Sequence, residues 1–478
     1  MAGPSEVSRR TLLGRAAALG ALAVPGAALL DACATGGGSG TGGGEKGTVS
    51  AANPLGVKED APLDVVIFKG GFGDQYAKDA EAAYKKKYPK ATVKHTPTQQ
   101  ITQLLAPKFV GGNPPDVIDN SGAQNLDMNS LVSKGQLTDL TPLLDAASLD
   151  DPNKKVRDTL ISGTVEQGQY GGKEVYALNY AYTVFGVWYS QTALDKYQIT
   201  YPKTWAEMIA ACEKLKKAGV AGWTYAGKYA YYVHFVMYAM IAKIGGIDVM
   251  NKIDNLEPNA WKDPAVKTAV EAFAELASKG YVLTGSEGLT HIESQTAWNQ
   301  GKAIFIPNGS WVENESKPTT PANFKMGVGG PPSASAADKL PYGSTWTTAG
   351  EPFIVPKDGK NALGGMELLR IMLSKQQSQN FAKLVSSLTC VAGAVDGLSL
   401  PPGLTAANAL LKLANDAKAS SNPRLSDWYP DLEKKVLGQN TQLLMSKRLS
   451  AADWITRAQA GADAVAKNSA IKKFKHTS

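Results

Sequence analysis

The stretch LDVVIFKGGFG, residues 63–73, decides the fold, because it joins a short apolar strand to a glycine-rich turn. The turn leads into a helical pattern that continues to Tyr88, and a second extended segment begins at Val93. A further helical pattern covers residues 102–110, and the segment DVID at 116–119 has the composition of a short buried strand. Strands that alternate with helices at this spacing predict an α/β fold with a parallel sheet and helices on its faces.

Two segments that follow the ends of these strands are candidates for a ligand site. Ligands bind such sheets beyond the carboxyl ends of the strands, which places residues 69–73 and 119–121 at one rim. The glycine-rich turn has neither the G-x-G-x-x-G spacing nor the Lys-Ser/Thr ending of nucleotide-binding loops. It is either a plain strand-to-helix turn or a turn that brings Phe72 near the ligand.

The rest of the chain contains one long apolar run and a series of helical patterns. Residues 177–190, ALNYAYTVFGVWYS, predict a buried strand. Thr204 and Glu207 have the spacing of a capping box at the start of a helix. The other predicted elements are helices over 205–217, 233–244, 264–279, 361–386, 404–418 and 430–445, and an extended segment over 353–356.

The N-terminus has the pattern of an exported lipoprotein. Arg9 and Arg10 precede an apolar run over 12–30, and Cys33 follows where a cleavage site is expected. The segment SRRTLL, residues 8–13, is also similar to a twin-arginine export motif. These features predict a signal peptide that ends before a lipidated Cys33, and the alternative is an ordinary cleaved signal with an incidental cysteine.

These features divide the N-terminal region into two segments. We expect a lipoprotein signal peptide of the twin-arginine type over residues 1–32, and a lipidated cysteine with a flexible Gly/Ser linker over 33–60. After Leu30 no run approaches 18 uninterrupted apolar residues, so the lipid is the only membrane anchor that we expect. The expected location is the extracellular face of the cell membrane.

Charge and cysteine content narrow the class further. The formal net charge of +7 includes the arginines of the N-terminal region, and the lysines are scattered through helical patterns, which favours a solvated surface over nucleic-acid binding. Besides Cys33 the sequence contains Cys212 and Cys390. In an exported protein these two cysteines form either one disulfide or two buried thiols.

Aromatic residues that stand beside Gly, Ser, Thr, Asn and Asp are the main chemical signal. Such neighbours indicate loops, and a flat ring flanked by amides and hydroxyls suits a sugar, whose apolar face packs on the ring while its hydroxyls find polar partners. For any single tryptophan, core packing and ligand contact both stay open, but the group favours ligand contact. Its members are Trp223, Tyr225, Tyr229, Tyr231, Trp311, Trp346 and Trp428.

The sequence contains none of the common catalytic or metal-binding motifs. Its four histidines are isolated from one another, and neither H-E-x-x-H nor G-x-S-x-G occurs. The pair Asp150-Asp151 could serve glycoside hydrolysis, but a helix cap or a solvated loop is the simpler interpretation. We therefore expect a protein that is not an enzyme and has no cofactor and no metal, with a lipid-anchored glycosidase as the enzyme alternative.

The export signal, the tether, the α/β pattern and the segment Gly309-Ser310-Trp311 together resemble the extracellular solute-binding proteins of carbohydrate ABC transporters. Within that family the chain is most similar to the actinomycete lipoproteins that bind N-acetylglucosamine and N,N′-diacetylchitobiose. The segments that carry this narrower resemblance are NPLGVK (53–58), VIFKGGFG (66–73), LNYAYTVFG (178–186), NLEPNAWKDP (255–264), GEPFIVP (350–356) and WYPDL (428–432).

The resemblance implies a two-lobed, periplasmic-binding-protein-like fold of the maltose-binding-protein type, with a hinge and a cleft between the lobes. One lobe would hold residues 61–180 and 353–393, and the other would hold residues 181–352 and 394–478. The resemblance also implies a monomer that captures these sugars by hinge closure and delivers them to membrane permease subunits that a cytoplasmic ATPase serves.

The same resemblance suggests roles for individual residues. In sugar-binding relatives the tryptophan of the G-[SP]-W segment stacks on the ligand, which maps to Trp311, and an aromatic residue near the start of a late helix maps to Trp428. The loop with Tyr229 and Tyr231 matches a tyrosine-bearing binding loop. Further candidates are Phe72 and, near the implied hinge, Tyr180 and Tyr182. Position and chemistry, and not the resemblance, make Asp119, Asn120 and Glu351 candidates as partners of hydroxyl or acetamide groups.

The identity of the sugar stays open at this point. Maltose-, xylose- or cellobiose-type specificity would leave the same coarse pattern, so the assignment to chitin sugars depends on the resemblance. Two other classes of protein also remain, a glycosidase that would cleave the sugar and a cell-wall adhesion module that would prefer polymer over disaccharide.

Overall fold

Ten strands form one mixed sheet in the described part of the chain, residues 46–122 and 124–476 of a computed structural model. The sheet order is β2-β1-β3-β8-β4-β6-β5, with β10 beside β8 and with β7 and β9 beside β4. The strands are β1 Leu63–Phe68, β2 Val93–Thr98, β3 Val117–Asp119, β4 Leu178–Ser190, β5 Ala221–Trp223, β6 Ala303–Gly309, β7 Met326–Gly329, β8 Thr345–Ile354, β9 Leu388–Thr389 and β10 Ser420–Ser421.

The parallel arrangement predicted for the first three strands is confirmed. β1 pairs in parallel with β2, with Leu63 opposite Val93, and in parallel with β3, with Val65 opposite Val117. The centre of the sheet differs from the prediction, because β4 pairs with β6, β7, β8 and β9 in antiparallel fashion. The fold is therefore α/β with a mixed sheet.

β4 and β8 are the longest strands and join the two ends of the sheet. β4 contains 13 residues and is the buried strand that the apolar run over 177–190 predicted. Its N-terminal part pairs with β8 from Leu178 to Val184, and its C-terminal part pairs with β6 from Phe185 to Tyr189. Because side chains alternate between the faces of a strand, β4 presents residues to both sides of the sheet.

Helices cover the faces of the sheet. The α-helices are α1 Gln75–Lys87, α2 Ile101–Val110, α3 Met128–Ser133, α4 Thr141–Asp145, α5 Thr164–Gln167, α6 Gln191–Lys196, α7 Trp205–Lys217, α8 His234–Gly245, α9 Ile247–Asp254, α10 Pro264–Ser278, α11 His291–Asn299, α12 Val312–Glu315, α13 Ala362–Met372, α14 Lys375–Val385, α15 Pro402–Asp416, α16 Leu425–Trp428, α17 Gly438–Met445 and α18 Ala451–Lys467. Short 3₁₀ turns cover Val156–Thr159, Gly227–Val233, Ala260–Lys262, Ser286–Gly288 and Lys317–Thr319, and a π-helical turn covers Leu432–Leu437.

Local capping explains where several helices begin. Thr204 Oγ1 accepts a hydrogen bond from Glu207 N at 3.2 Å, and the Glu207 carboxylate accepts one from Thr204 N at 3.0 Å, which confirms the predicted capping box. The single helix predicted over 361–386 is two helices, because Ser374 ends one and caps the next, accepting from Gln377 N at 3.3 Å. Asp150 accepts a hydrogen bond from Lys375 N at 2.7 Å and so caps this second helix. This agrees with the interpretation of the pair Asp150-Asp151 as a helix cap.

The apolar core under the first strands is continuous with the end of β8. Val65 and Ile67 of β1 pack in one buried cluster with Tyr84 of α1, Phe353 of β8 and Phe381 of α14. The described residues belong to one compact unit that spans Thr41–Ser478. The predicted division into two lobes, in which the chain passes from one lobe to the other at 180/181, 352/353 and 393/394, stays a prediction.

The segment that precedes β1 is packed on the body, which corrects the predicted extent of the flexible linker. Leu55 and Val57 are buried, at 8% and 1% exposure. The Asn53 side chain fixes this segment, since its Oδ1 accepts from Val57 N at 2.9 Å and from the Tyr88 hydroxyl at 3.1 Å. Gly47 N also donates to Gly56 O at 2.9 Å, so the packed segment includes Gly47, whereas the predicted signal peptide and the predicted lipidation site Cys33 lie outside the described residues.

Both described cysteines are free thiols. Cys212 lies in α7 and Cys390 follows β9, and each is fully buried, so the disulfide alternative is wrong and the alternative of two buried thiols is confirmed. Burial raises the pKa of the Cys212 thiol to about 12, which keeps it protonated. Within residues 46–122 and 124–476, no helix is both long enough and apolar enough to cross a membrane.

Candidate ligand-binding cavity

A cavity of about 830 Å³, the main cavity from here on, opens at the carboxyl ends of β1 and β3. One wall comes from the turn after β1 and contains Phe68, Gly71 and Phe72. The floor comes from β4 and β8, and the opposite wall comes from the turns around residues 229–232 and 311–318. Its volume lies within the usual range for small-molecule sites, and its position agrees with the rule for ligands in α/β sheets.

The alternation of side chains along β4 separates the main cavity from a second cavity. Ala181, Thr183 and Phe185 face the main cavity, whereas Tyr182 faces a cavity of about 900 Å³ on the other side of the sheet. The Tyr182 hydroxyl lies 3.3 Å from Thr347 Oγ1, on the same side. Tyr182 is the one aromatic residue on the wall of this second cavity within the described chain, so the main cavity is the better candidate for a sugar site.

Trp311 is held on the wall of the main cavity by the shape of the chain after β6. It follows Gly309 and Ser310, and the Ser310 hydroxyl accepts a hydrogen bond from Val184 N at 3.3 Å. A Cβ added at Gly309 would lie within 2.6 Å of the Trp311 ring atoms Cζ3, Cη2 and Cε3. Glycine at this position therefore allows the indole ring to fold back over the end of the strand.

Aromatic rings surround Trp311 and fix its orientation. The Phe185 ring lies 5.5 Å from the Trp311 ring at an angle of 82°, and the Tyr232 ring lies 6.2 Å away at 84°. Phe235 of α8 packs edge-on behind Trp311 at 5.7 Å, and His291 stacks on Tyr232 at 6.0 Å. Trp311, Phe185 and Tyr232 all line the main cavity, where the apolar face of a sugar can stack on a ring.

Trp346 supports this cluster from behind and does not reach the cavity. It lies in β8 with 5% exposure, 4.4 Å from the Phe185 ring and 5.6 Å from the Phe235 ring. The sequence places it among Ser and Thr, which predicted a loop, but these residues belong to a strand whose buried face carries the indole. Trp346 thus packs against residues of the cavity wall and does not itself line the main cavity.

A pair of carboxyl groups lies at the polar end of the main cavity. Glu351 of β8 lines the cavity, and Asp119 lies beneath it at the end of β3. Asp119 is fully buried, and its carboxylate accepts hydrogen bonds from the Ser121 hydroxyl at 2.5 Å and the Tyr76 hydroxyl at 3.0 Å. Burial raises the pKa of Asp119, and burial together with the nearby Asp119 charge raises the pKa of Glu351.

The backbone at Glu351 is strained. Its φ of +56° lies in the left-handed region, which is costly for a residue with a side chain. Strain of this kind persists where the surrounding structure fixes it, often at binding sites. Here it occurs at the position where β8 turns its carboxyl group toward the cavity.

A hydrogen bond closes one side of the cavity mouth. Asn314 Nδ2 of α12 donates to the carbonyl oxygen of Gly71 in the turn after β1, 243 residues earlier in the chain. Gly71 also lies next to Glu315, whose Oε1 would be 3.4 Å from a Cβ added at Gly71. The Glu315 carboxylate accepts a hydrogen bond from Gln295 Nε2 at 2.7 Å and lies 3.4 Å from His291 Nε2. The two opposite walls are thus joined directly at the rim.

Five of the predicted ligand residues line the main cavity, namely Phe72, Tyr229, Tyr231, Trp311 and Glu351. Asp119 is fully buried and does not line the cavity, and its carboxylate is held by the Ser121 and Tyr76 hydroxyls. The remaining candidates have structural roles in this arrangement.

Three of these candidates, Asn120, Tyr180 and Tyr182, make their contacts outside the main cavity. The Asn120 side chain is hydrogen-bonded to the backbone of Leu126. Asn120 Oδ1 accepts from Leu126 N at 2.8 Å, and Asn120 Nδ2 donates to Leu126 O at 3.0 Å. Tyr180 packs in the core, stacked on Tyr76 at 5.9 Å, and Tyr182 faces the second cavity. The placement of Tyr180 and Tyr182 follows from their shared position on the face of β4 opposite Ala181.

Trp223 and Tyr225 belong to the core beside β5. Trp223 is 2% exposed and lies 5.9 Å from the Phe305 ring and 6.0 Å from the Phe273 ring. Tyr225 is also 2% exposed. Glycine residues beside them predicted a loop, but Gly222 lies in the strand, where an added Cβ would press against Cys212.

Trp428 packs against the C-terminal tail, residues 471–476. Its ring stacks on Phe474 at 5.7 Å and lies 4.8 Å from His476. The tail also reaches Tyr170, because Lys472 Nζ donates to Tyr170 O at 2.7 Å and Phe474 lies edge-on to the Tyr170 ring at 6.2 Å. The tail thus covers the indole of Trp428, which does not line the main cavity.

Several cavity residues were not among the predicted ligand contacts. They include Phe185, Tyr232, His291, Asn314 and Lys434. Tyr232 adjoins Tyr231, and Phe185 lies on the same face of β4 as Ala181 and Thr183. The sequence therefore contained a signal that could have identified both residues as cavity residues. Within the described residues, no group of three or more His, Cys, Asp or Glu side chains is arranged to hold a metal ion.

Comparison with known proteins identifies similar chains. A family model described as bacterial extracellular solute-binding protein matches residues 69–379. The diacetylchitobiose binding protein NgcE of Streptomyces coelicolor is 37% identical over 355 residues, which is 74% of this chain and 74% of that protein. The solved structure of a chitin oligosaccharide binding protein matches with a TM-score of 0.68 and 17% identity, covering 85% of this chain and 99% of that one. The raffinose complex of the binding protein RafE matches with a TM-score of 0.66 and 17% identity over 84% and 99%.

Proposed function

This chain belongs to the family of bacterial extracellular solute-binding proteins, and on that premise we propose that it captures N-acetylglucosamine and N,N′-diacetylchitobiose for an ABC importer. The observation that carries the proposal is the main cavity, with Trp311, Phe185 and Tyr232 at one end and the Glu351 carboxyl at the other. Rings bind the apolar faces of a pyranose, and the polar end binds its hydroxyl or acetamide groups. The similarity to NgcE supports the choice of chitin sugars over other sugars.

Closure around the sugar is the proposed mechanism. The walls of the main cavity come from the turn after β1 and from the turns around Tyr231 and Trp311, which belong to different predicted lobes. A sugar that contacts both walls binds the closed form more tightly and shifts the equilibrium toward it. A 10⁴-fold preference for the closed form requires about 5.5 kcal/mol of differential contact, which a few polar pairs and two stacked rings can supply.

The proposed setting is the outer face of the cell membrane. Lipidation at Cys33 would tether a monomeric protein there, and the closed form would deliver the sugar to membrane permease subunits. The protein would not cleave its ligand, in agreement with a family and relatives that are binding proteins. A binding protein for maltose-, xylose- or cellobiose-type oligosaccharides is the second candidate, since a structural neighbour with the same fold binds raffinose.

The test is calorimetric titration of the body, residues 46–478, with N-acetylglucosamine, N,N′-diacetylchitobiose, maltose and cellobiose. We expect binding of the first two at one site in the micromolar range or tighter, and no change of the sugar after long incubation. Binding of maltose or cellobiose alone would keep the role in transport but contradict the assigned sugar. Release of N-acetylglucosamine from the disaccharide would contradict the binding function and support the glycosidase alternative.

A Trp311→Ala variant separates specific from adventitious binding. Loss of the ring should weaken the chitin sugars strongly if they occupy the main cavity. The matched control is Trp428→Phe, which keeps an aromatic ring against the C-terminal tail and lies outside the cavity wall. Equal affinities in the wild type and in Trp311→Ala would place the sugar elsewhere.

A further inference from the structure

A side cavity of about 280 Å³ adjoins the main cavity behind the loop with Tyr229 and Tyr231. Both cavities touch Tyr229, Tyr231 and Lys434, so these three residues stand between them. The far wall of the side cavity is formed by Gln439 and Gln442 of α17. The nature of these residues, two phenol rings facing two amides, matches the composition of a carbohydrate site.

The backbone places Tyr229 at the border between the cavities. Its φ of −132° and ψ of 56° interrupt the 3₁₀ turn over Gly227–Val233, and its side chain is 36% exposed. The ring is held edge-on by Tyr231 at 6.4 Å and by His291 at 5.6 Å. The preceding Gly227 packs so closely on the backbone of Glu287 that an added Cβ would collide with it. The loop is therefore anchored on one side while the Tyr229 ring stays accessible.

The ammonium group of Lys434, at the same border, has hydrogen-bond donors that no described residue accepts from. It lies on the π-helical turn over Leu432–Leu437, whose preceding residue, Glu433, is buried and accepts hydrogen bonds from the Tyr238 hydroxyl and from the His234 ring. Among the described residues Lys434 forms no hydrogen bond or ion pair, although the charges of Glu433, Asp427 and Asp431 act on it at longer range. Burial lowers its pKa. A π-helical turn is uncommon and occurs often at functional sites.

The amides on the far wall also have free hydrogen-bonding capacity. Gln442 Nε2 donates to Glu287 O at 3.3 Å, which leaves its carbonyl oxygen open. The Gln439 side chain is exposed and makes no hydrogen bond to any residue that the structure describes. The Gln442 carbonyl oxygen, the Gln439 amide and the Lys434 ammonium can pair with the hydroxyl and acetamide groups of a further sugar unit.

The geometry points to a second sugar subsite in the side cavity, which takes the units of a neutral N-acetylhexosamine oligosaccharide that extend beyond the main cavity, with Lys434 bound to the ligand at the junction. This inference rests on the proposed function and deepens it. If it is correct, the protein binds oligosaccharides of three or four units as well as the disaccharide. Tyr229 would then contact the units on both sides.

The test compares the disaccharide with the tri- and tetrasaccharide of N-acetylglucosamine by calorimetric titration of the body, residues 46–478. The variant Gln439→Trp fills the side cavity from an exposed position, and Gln442→Trp is a second, independent obstruction. We expect the wild type to bind the longer sugars at least as tightly as the disaccharide. Both variants should weaken the tetrasaccharide at least tenfold and change the disaccharide less than twofold.

The matched control is Lys435→Trp, which adds the same ring on the same π-helical turn at a site 69% exposed and outside both cavities. It should change none of the affinities, and thermal melts should show that all three variants fold. A wild type that binds the tetrasaccharide more than tenfold more weakly than the disaccharide would overturn the inference. Equal losses for both sugars in Gln439→Trp would also overturn it.

Failure of the proposed function would look different. In that case the wild type would bind none of the chitin sugars, including the disaccharide. If maltose or cellobiose binds instead, the same comparison is made with maltotetraose and cellotetraose, so that the subsite is tested whichever sugar is bound. A length preference that Gln439→Trp abolishes in that series supports the subsite, and its absence refutes it.

Discussion

Substitution of Gly309 by alanine should weaken sugar binding through Trp311 alone. The new Cβ would lie within 2.6 Å of three atoms of the indole ring, whereas carbon atoms in contact are 3.5–4.0 Å apart, so the ring must shift by about 1 Å or more. The φ of Gly309 is not positive, so alanine strains no backbone there. The clash involves the ring that we place against the ligand.

The size of the effect follows from the area of the ring. A tryptophan buries roughly 150–250 Å², and one face accounts for about a third of it, or roughly 70 Å². With a similar area on the sugar, about 140 Å² at roughly 25 cal/mol per Å² gives about 3.5 kcal/mol for full loss of stacking. A displaced ring retains part of the contact, so we expect Gly309→Ala to lose about 2 kcal/mol, which is about 30-fold in affinity.

A double-mutant cycle tests the reasoning. Calorimetric titration with N,N′-diacetylchitobiose should give about 30-fold weaker binding for Gly309→Ala and a somewhat larger loss for Trp311→Ala. Because the glycine acts through the indole ring, the double variant should bind no more weakly than Trp311→Ala alone. Additive losses would refute the reasoning, since they would show that Gly309 matters for another reason.

Three further predictions address the rim, the carboxyl pair and the fold. Asn314→Ala removes the hydrogen bond to Gly71 O across the cavity mouth and should speed sugar release by about two- to tenfold in stopped-flow fluorescence, and an unchanged rate would show that this bond does not stabilise the closed form. Since the pKa of Glu351 is raised, the folded state holds its proton at a higher pH than the unfolded state does, and the free energy of unfolding should fall as pH rises above the ordinary carboxyl pKa through the raised one. Glu351→Gln should flatten this fall in urea titrations at about pH 5 and about pH 8, and an equally steep fall would assign it to other groups, of which Asp119 is the nearest. Thr204→Ala removes a helix cap far from the main cavity, so it should cost about 1 kcal/mol in urea unfolding and leave the sugar affinity unchanged, whereas a loss of affinity would contradict a purely local role.

Elements with a strong local signal could be predicted from the sequence. β1 and β4 have long apolar runs, and Thr204 with Glu207 marks the start of α7, so these elements occur where predicted. The antiparallel pairing of β4 with β8 could not be predicted in this way. It joins residues more than 160 positions apart, and nothing in either segment records its partner.

The same limit explains why the sequence does not distinguish the tryptophan on the cavity wall from those that are buried. Trp311 lies on the cavity wall because Gly309 lets its ring fold back locally, and this signal is present in the sequence. Trp346 and Trp428 have equally polar neighbours, yet Phe185 and Phe474 cover them, and both arrive from distant parts of the chain. Polar neighbours indicate that a ring lies near the end of an element, but they do not show which ring is covered by a residue far away in sequence.

The C-terminal tail has a consequence for the order in which this protein matures. Phe474 contacts both Tyr170 and Trp428, so it fastens a residue from the first half of the chain to one near its end. Phe474 is synthesised after both Tyr170 and Trp428, and therefore this fastening cannot form until translation has passed Phe474. An export route that carries folded proteins, as the paired arginines at residues 9 and 10 predict, would move the molecule after that step and not before it.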